Sequence, residues 1–261
     1  MTRTSNTKRE RIDKLLVERG LAESRTKAQA MVMAGVVLVN EQRVEKPSEQ
    51  FSTDSQIRIK HADDPTSRYV GRGGLKLEAA LREFQFDARG AVCLDVGAST
   101  GGFTDCLLQN GAAKVFAIDV GHNQIDWRLR NDPRVDVREG VNARYLKPAD
   151  FPVAFDLAVI DVSFISILKI LPSVVPLLRP DGSLVVLIKP QFEVGRGEVG
   201  SGGVVRDKEK RMKAVDNVNG FASTLGLQLK GTIESPITGA EGNVEYLAHY
   251  SYHPASNHVD N

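Results

Sequence analysis

The chain has 261 residues, of which 41% are hydrophobic and 26% are charged, as in ordinary globular proteins. No apolar run approaches the roughly 20 residues of a membrane helix, and the polar, basic residues 1–11 do not resemble a secretory signal. Two cysteines and five histidines without ligand spacing favour neither a disulfide framework nor a metal site. The composition therefore predicts a soluble, cytoplasmic protein with no metal and no evident obligate protein partner.

The charged residues are distributed unevenly along the chain. Residues 1–60 carry a net charge of +4, and the remaining residues carry a net charge of −3. A basic module on a mildly acidic body is typical of a protein that binds a polyanion. A solvated basic surface would give the same charges, so this observation leaves both interpretations open.

The first 60 residues predict a small α+β module. Residues 1–9 have the composition of a disordered tail, and apolar spacing predicts a helix over Arg11–Arg19. Ser24 is a candidate N-cap for a second helix that stops at Gly35. Short strands are predicted at residues 36–39, 43–44 and 57–60. The module spans residues 10–62, and a linker occupies residues 63–70.

The start of the second predicted helix is basic, at a place where free backbone amides favour a phosphate. A capped helix with exposed basic residues explains this feature equally well. Three segments resemble the S4 RNA-binding domain: Arg11-Ile-Asp-Lys-Leu-Leu, Ser24-Arg-Thr-Lys-Ala-Gln-Ala and Gly35-Val-Val-Leu-Val-Asn40. The resemblance implies contacts with structured RNA from four side chains: Arg11, Lys14, Arg25 and Lys27.

From Arg72 onward, apolar runs of strand length alternate with helical stretches. The runs cover residues 91–96, 114–119, 157–161 and 184–189, and residues 233–236 and 244–250 are candidates for antiparallel edge strands. This alternation predicts a Rossmann-like α/β fold, in which helices cover both faces of a parallel sheet. The predicted domain spans residues 71–252, and a flexible tail follows at 253–261.

A glycine-rich turn joins the first of these strands to a helix, in the sequence Cys93-Leu-Asp95-Val-Gly97-Ala-Ser-Thr-Gly101-Gly102-Phe-Thr. Such a turn lies at the carboxyl edge of the sheet, where α/β proteins bind ligands. A nicotinamide dinucleotide would require Gly-x-Gly-x-x-Gly, and Asp95 would repel its pyrophosphate. The pattern favours S-adenosylmethionine, which has a positively charged end.

Two residues after the following strands are further candidates for cofactor contacts. Asp119 ends the second strand, where its carboxylate could accept hydrogen bonds from two ribose hydroxyls. Asn142 follows the third strand, where it contacts adenine or caps a turn.

Four polar residues lie at the ends of predicted elements: Lys76, Asp161, Lys189 and Glu245. Each has an ordinary explanation by itself, because lysines at strand ends reach solvent. Together they fit methyl transfer to a ribose hydroxyl, which must lose its proton as its oxygen attacks. A lysine with a lowered pKa can take that proton. We expect Lys189 to be the base and Asp161 to hold it, with orienting or electrostatic roles for the other two.

These four residues match the Lys-Asp-Lys-Glu set of the FtsJ-like ribose 2′-O-methyltransferases. Supporting segments resemble the TlyA family within that group: Tyr69-Val-Gly-Arg-Gly-Gly-Leu-Lys-Leu, Asp161-Val-Ser-Phe-Ile, Ile188-Lys-Pro-Gln-Phe-Glu and Gly242-Asn-Val-Glu. The resemblance implies an enzyme that methylates a cytidine ribose of ribosomal RNA. Its implied cofactor contacts are Asp95, Gly97, Ser99, Gly101, Gly102, Phe103, Asp119, Asn142 and Asp161.

Three other functions are alternatives to this one. A lytic protein would need a membrane span or a strong amphipathic membrane helix. An inert RNA-binding or ribosome-assembly factor would not need the cofactor glycines. A base methyltransferase would carry an Asn/Asp-Pro-Pro-aromatic turn or a nucleophilic cysteine, whereas the chain has Asp161-Val-Ser-Phe and two cysteines, Cys93 and Cys106, on a strand and on the cofactor-side helix.

Overall fold

The computed structural model describes residues 9–40, 42–59, 68–239 and 242–254. These residues fall into two compact units that divide between Arg68 and Tyr69. Most of the predicted tails at 1–9 and 253–261, and most of the predicted linker at 63–70, lie outside the described residues.

In the described part of the N-terminal unit, two helices accompany five short strands. They are β1 (Arg9–Arg11), α1 (Ile12–Glu18), α2 (Arg25–Met33), β2 (Val37–Val39), β3 (Gln42–Arg43), β4 (Gln50–Ser52) and β5 (Ile57–Ile59). β1 pairs antiparallel with β4, and β2 pairs antiparallel with both β3 and β5. The helices bury Leu16 and Val32 in a common core with Val37. Arg11, predicted within the first helix, instead lies in β1 opposite Gln50.

The second unit begins with a helix and continues as alternating strands and helices. Its elements are α3 (Gly73–Glu83), β6 (Val92–Val96), α4 (Gly102–Gln109), β7 (Lys114–Ile118), α5 (Trp127–Arg130), β8 (Val135–Arg138), β9 (Phe155–Ile160), α6 (Leu171–Val174), β10 (Leu178–Ile188), α7 (Pro190–Glu193), α8 (Lys208–Thr224), β11 (Leu227–Glu234) and β12 (Tyr246–Tyr252).

The strands of the second unit form one seven-stranded sheet in the order β11-β12-β10-β9-β6-β7-β8. β8, β7, β6, β9 and β10 are parallel, and β12 runs antiparallel to both β10 and β11. The strand order reverses between β6 and β9, and open α/β sheets bind ligands at the carboxyl ends of strands beside such a reversal.

Both faces of this sheet are covered. In β10, Leu184 and Val186 pack into one apolar layer, whereas Val185 and Leu187 pack into the opposite one. Alternate residues of a strand point to opposite faces, so a strand buried on both sides is a continuous apolar run. α3 and α4 cover one face, and α6 and α8 cover the other. The predicted Rossmann-like fold with helices on both faces is therefore confirmed.

Several boundaries of the second unit differ from the sequence prediction, and β10 begins at Leu178 instead of Leu184. The sequence favours a helix over residues 76–84, whereas α3 begins at Gly73, although glycine has low helix propensity. Close packing accounts for glycine at this start, because a Cβ on Gly74 would lie 2.3 Å from the Tyr69 ring. β11 begins at Leu227, well before the predicted start at Ile233. Its pairing with β12 contains a register shift between Leu229 and Gly231.

Candidate active site

The ends of β6 and β9 approach each other closely at Gly97. The backbone N–H of Asp161 donates to the carbonyl of Val96 at 2.9 Å, which continues the parallel pairing to the sheet edge. Gly97 has a φ of +85°, and a Cβ there would lie 2.3 Å from the carbonyl oxygen of Asp161. Only glycine satisfies both conditions. Gly97 therefore allows the glycine loop, residues 97–101 between β6 and α4, to lie against the end of β9.

The conformation of Gly101 and the hydrogen bonds of Asp119 fix the glycine loop before α4 begins. Gly101 precedes the helix with a φ of +95°, which glycine adopts without strain. The carboxylate of Asp119, after β7, accepts hydrogen bonds from the backbone N–H groups of Ser99 at 2.8 Å and Gly121 at 2.6 Å. Asp119 therefore holds the loop in place, a contact that the sequence pattern did not predict.

Asp95 lies beneath this loop and is completely buried. Its Oδ2 accepts a hydrogen bond from the Thr104 hydroxyl at 2.6 Å, and its Oδ1 has no hydrogen-bond partner among the described residues. Burial raises the pKa of Asp95 to about 7, because a carboxylate away from water is costly and the nearby Asp161 adds repulsion. A cation near Oδ1 would relieve that cost.

The four polar residues predicted at element ends form two ion pairs. Lys189 Nζ lies 2.6 Å from Asp161 Oδ1 and donates to Ser163 Oγ at 2.8 Å. Lys76 Nζ, on α3, lies 2.5 Å from Glu245 Oε2. Both lysines and Glu245 are buried. The pairing of Ile188 with Tyr246 explains why Lys189 and Glu245 reach the same edge of the sheet, since each is the next residue along its strand in the direction of that edge.

A cavity of about 180 Å³ joins the glycine loop to Asp161 and Lys189. Its lining consists of Gly73, Gly97, Ala98, Ser99, Thr100, Gly102, Phe103, Asp161, Ser163 and Lys189. A ligand bound against the loop would therefore lie beside the Lys189 amine.

Several predicted site residues do not line this cavity. Asp95 is buried and bonded to Thr104 of α4, Gly101 immediately precedes α4, and Asp119 holds the loop by hydrogen bonds. Asn142 caps the short 3₁₀ turn Ala143–Tyr145 by accepting a hydrogen bond from the Arg144 N–H at 3.1 Å. Of the two roles that the sequence leaves open for Asn142, adenine contact and turn capping, this hydrogen bond is the second.

Two family models match the chain. The model of the FtsJ-like methyltransferases matches residues 69–252, and the model of the S4 domain matches residues 10–57. The chain belongs to the FtsJ-like methyltransferase family.

Relatives of this FtsJ-like chain resemble it over most of its length. The 16S/23S rRNA (cytidine-2′-O)-methyltransferase TlyA of Mycobacterium tuberculosis is 46% identical, with 92% of this chain and 89% of TlyA covered. Hemolysin A of Brachyspira hyodysenteriae is 43% identical, with 92% and 99% covered. A solved structure from Streptococcus thermophilus is 45% identical and superposes with a TM-score of 0.73 over 94% of this chain and 89% of that one. The predicted resemblance to the TlyA group is confirmed.

The FtsJ-like domain also contains polar contacts that the sequence analysis missed. Ser163 holds the Lys189 amine, and Glu193 connects the segments that follow β9 and β10. The Glu193 carboxylate accepts from the Ser166 hydroxyl at 2.7 Å and from the Ile167 N–H at 2.9 Å. Burial raises the pKa of Glu193. Glu193 belongs to the Lys-Pro-Gln-Phe-Glu segment that resembles a family motif, and the spacing of that segment indicates no partner for it.

The cysteines of the FtsJ-like domain do not offer a nucleophile. Cys93 and Cys106 are both buried, and burial raises the pKa of the Cys93 thiol to about 12. A thiol in such surroundings is inert, because only the thiolate attacks. Among the described residues, no group of three or more His, Cys, Asp or Glu side chains is arranged to hold a metal ion.

The four basic residues predicted to contact RNA lie on or beside the first two helices of the S4 domain. Arg11 and Arg25 both donate to the carboxylate of Asp13, at 2.9 and 3.0 Å. Lys14 pairs with Glu10 at 2.7 Å. The backbone N–H of Lys27 donates to the Ser24 side chain at 3.2 Å, so Ser24 caps α2 as predicted.

Proposed function

We propose that the chain is an S-adenosylmethionine-dependent 2′-O-methyltransferase that acts on a cytidine ribose of ribosomal RNA. The observation that carries the proposal is the position of Lys189. Its amine is held by Asp161 and Ser163 on the wall of the cavity that the glycine loop lines. An amine in this position supports a role for Lys189 as proton acceptor, and the TlyA relative from Mycobacterium tuberculosis is named as a (cytidine-2′-O)-methyltransferase.

The residues around the glycine loop fit S-adenosylmethionine. Its methionine end carries positive charge, which matches the buried, unpartnered Oδ1 of Asp95. Gly97, Ser99, Gly102 and Phe103 would form the wall against which it binds. When bound, S-adenosylmethionine supplies a methyl group from its sulfonium. Asp119 already accepts two backbone N–H groups, so its proposed contacts with ribose hydroxyls would share its oxygens.

The side chains of the two ion pairs act on the ribose hydroxyl in this proposal. As a neutral amine, Lys189 Nζ would take the 2′-hydroxyl proton as the ribose oxygen accepts the methyl group, and Asp161 would stabilise the ammonium ion that results. Ser163 fixes the direction of the amine by its hydrogen bond. Lys76, paired with Glu245, contributes a buried positive charge that is held in one place.

RNA would be bound by both parts of the chain. The S4 domain supplies Arg11, Lys14, Arg25 and Lys27 as contacts, with residues 10–62 as the RNA-binding domain and residues 71–252 as the catalytic domain. In the catalytic domain, the ring of Phe164 is 92% exposed immediately after Ser163, and aromatic rings stack on unpaired bases. We infer that ribosomal subunits in the cytoplasm are the partners.

The name of the Brachyspira hyodysenteriae relative raises a membrane activity as an alternative. Within the described residues, none of the helices has the length and apolar content that crossing a membrane requires. The alternative of an inert RNA-binding factor leaves the two ion pairs and the glycine loop without a use.

The proposed function is tested by methylation of ribosomal subunits that lack native modification. Purified protein is incubated with methyl-labelled S-adenosylmethionine and either subunit, and the label is mapped by nuclease digestion and mass spectrometry. We expect label on the ribose of a cytidine. Label on a base would retain the cofactor site and overturn the role of Lys189. Absence of both label and cofactor binding would overturn the proposed enzyme.

A further inference from the structure

A buried carboxylate lies beneath two exposed arginines in the N-terminal unit. The side chain of Asp13, on α1, is 0% exposed, whereas those of Arg11 and Arg25 are 39% and 56% exposed. Arg11 donates through both Nε and Nη2, and Arg25 donates through Nη2. Gln29, on α2, adds a fourth hydrogen bond at 2.9 Å. One carboxylate thus connects β1, α1 and α2.

The geometry brings the two guanidinium groups to the same oxygen. Arg11 Nη2 and Arg25 Nη2 lie 2.9 and 3.0 Å from Asp13 Oδ2. A guanidinium has five N–H donors in a fixed fork, so each arginine keeps donors that do not contact Asp13. Two forks held side by side on a partly exposed surface match the oxygens of a phosphate, which arginine binds through paired hydrogen bonds.

A buried acid is an unexpected group at a surface proposed to bind RNA, because it cancels one of the two positive charges. Its ionised form is strongly favoured, since the hydrogen bonds from Arg11 hold the pKa of Asp13 well below its ordinary value and those from Gln29 and Arg25 add to the effect. The lost charge must therefore be offset by another benefit. Fixing two long, flexible side chains before binding removes an entropic cost that binding would otherwise carry.

We propose that Asp13, supported by Gln29, is a positioning residue that holds Arg11 and Arg25 as a clamp for one phosphate of the RNA backbone. The inference rests on the proposed function, since it assumes that this surface binds RNA. Two residues without positive charge, Asp13 and Gln29, thereby become part of the RNA-binding surface. The two arginines bind a single phosphate together rather than making separate contacts.

The substitution Asp13→Asn separates this proposal from simple charge counting. Asparagine is similar in shape but raises the net charge of the surface by one, so charge counting predicts tighter binding of RNA. The clamp predicts weaker binding by about tenfold, which is the effect of losing one charge-assisted hydrogen bond. It also predicts that the slope of log affinity against log salt falls by about one, because one phosphate contact is lost. A purely structural role would not change that slope.

Binding is measured with the full-length chain and unmodified small and large ribosomal subunits across a range of salt concentrations. Glu23→Gln is the matched control, because exposed Glu23 lies beside the start of α2 and its substitution adds the same charge. We expect Glu23→Gln to bind as well as wild type or slightly better. Tighter binding by Asp13→Asn, or an unchanged salt slope, would overturn the clamp.

A second variant keeps the test decisive if Asp13→Asn does not fold, which circular dichroism would reveal. Arg25→Lys preserves the charge but loses the fork, so the clamp predicts about tenfold weaker binding for it. Arg19→Lys is its control, since Arg19 is an exposed arginine that donates to the carbonyls of Thr53 and Ser55. Equal binding by Arg25→Lys and Arg19→Lys would overturn the proposal.

Failure of the clamp and failure of the proposed function give different results. If wild-type protein binds and methylates a subunit but Asp13→Asn and Arg25→Lys behave as wild type, the clamp is wrong and the enzyme stands. If wild-type protein neither binds nor methylates either subunit, the proposed function itself fails, and the clamp fails with it.

Discussion

The two units of the chain use opposite arrangements of charge. In the FtsJ-like unit, the two lysines of the site are buried: the side chains of Lys76 and Lys189 are each 10% exposed, and each is paired with a carboxylate. In the S4 unit, the carboxylate of Asp13 is buried, and the two cations that it holds, Arg11 and Arg25, are exposed. The buried cations of these ion pairs are thus lysines, and the exposed cations around Asp13 are arginines.

This difference follows from what each cation can do. Lysine can give up or accept a proton, whereas arginine stays charged under all ordinary conditions. Of these two side chains, only lysine can therefore take a proton. A residue proposed to bind a phosphate benefits from the permanent charge and planar fork of arginine. Substitutions of the buried lysines and of their partners distinguish proton transfer from the effects of charge and of stability.

The largest effect is expected at Lys189. Lys189→Ala removes the proposed base and should lower the single-turnover rate of methylation by about 10²- to 10⁴-fold, the usual contribution of a general base. Lys189→Arg keeps the positive charge beside Asp161 but should lose nearly as much activity, since arginine does not accept the proton. Cofactor affinity should change little in either variant.

Lys169→Ala is the matched control, because Lys169 is an exposed lysine of the same domain. It should methylate at the wild-type rate. A near-wild-type rate for Lys189→Arg would indicate that Lys189 contributes charge rather than proton acceptance, and the contrast between the two units would then disappear.

The pair of Lys76 and Glu245 should separate stability from activity. Glu245→Gln leaves a buried ammonium without its partner, so the free energy of unfolding should fall by about 3–5 kcal/mol. The double variant Lys76→Met, Glu245→Gln removes both charges and should recover most of that stability. Its methylation rate should stay low if the charge of Lys76 acts on the reaction. Urea denaturation and single-turnover rates measure the two properties, and recovery of both would leave this pair with a structural role alone.

A smaller effect is expected from substitution of Gly97, which lies where the ends of β6 and β9 meet. Gly97→Ala places a Cβ 2.3 Å from the Asp161 carbonyl oxygen and also imposes a left-handed conformation on alanine. We expect a loss of about 2 kcal/mol of stability and, because the loop must shift, at least about tenfold weaker cofactor binding. Gly90→Ala is the control, since its φ is +73° and nothing lies within 4 Å of its Cβ. Equal effects in both variants would show that the approach to Asp161 is unimportant.

The sequence predicted the fold and the position of the site because both depend on local patterns. Apolar runs predicted the carboxyl ends of β6, β9 and β10 to within one residue, and parallel strands bring those ends to one edge. Asp161 and Lys189 follow such runs, so they could be expected there before their 2.6 Å contact was seen.

The contacts that the sequence did not reveal depend on distant residues. Glu193 accepts from Ser166 and Ile167, which lie on a different segment with no periodic relation to it. The partners of Asp13 lie on β1 and α2, outside its own helix, so helical spacing alone gives no sign of them. The hydrogen bond from the Ser99 N–H to Asp119 was likewise not predicted. Ser99 has a φ of +49°, and a serine at this position does not indicate a left-handed conformation.

The smallest expected effect concerns the pH dependence that Asp95 gives to the FtsJ-like unit. Its pKa is raised to about 7 by burial, from an ordinary value of 3.8. Between pH 4 and pH 7, folded protein therefore keeps a proton on Asp95 that unfolded protein has lost, so stability falls as pH rises through this window. Cofactor binding should show the opposite trend, because a cationic ligand favours the ionised carboxylate. Affinity should rise by up to about tenfold per pH unit as pH approaches 7 and then level off.

Asp95→Asn isolates both trends, because asparagine can still accept the Thr104 hydroxyl but does not titrate. Urea denaturation should show that the stability of Asp95→Asn increases relative to that of wild type as pH rises from 5 to 8. Calorimetry should show that its cofactor affinity does not rise with pH in the way that ionisation of Asp95 predicts for wild type. Titration of the cofactor itself is common to both proteins, so it cancels in the comparison. Parallel stability profiles would mean that Asp95 is ionised throughout, and parallel affinity profiles would mean that no cationic group of the cofactor lies near it. Asp95 would in that case serve only to join β6 to α4 through Thr104.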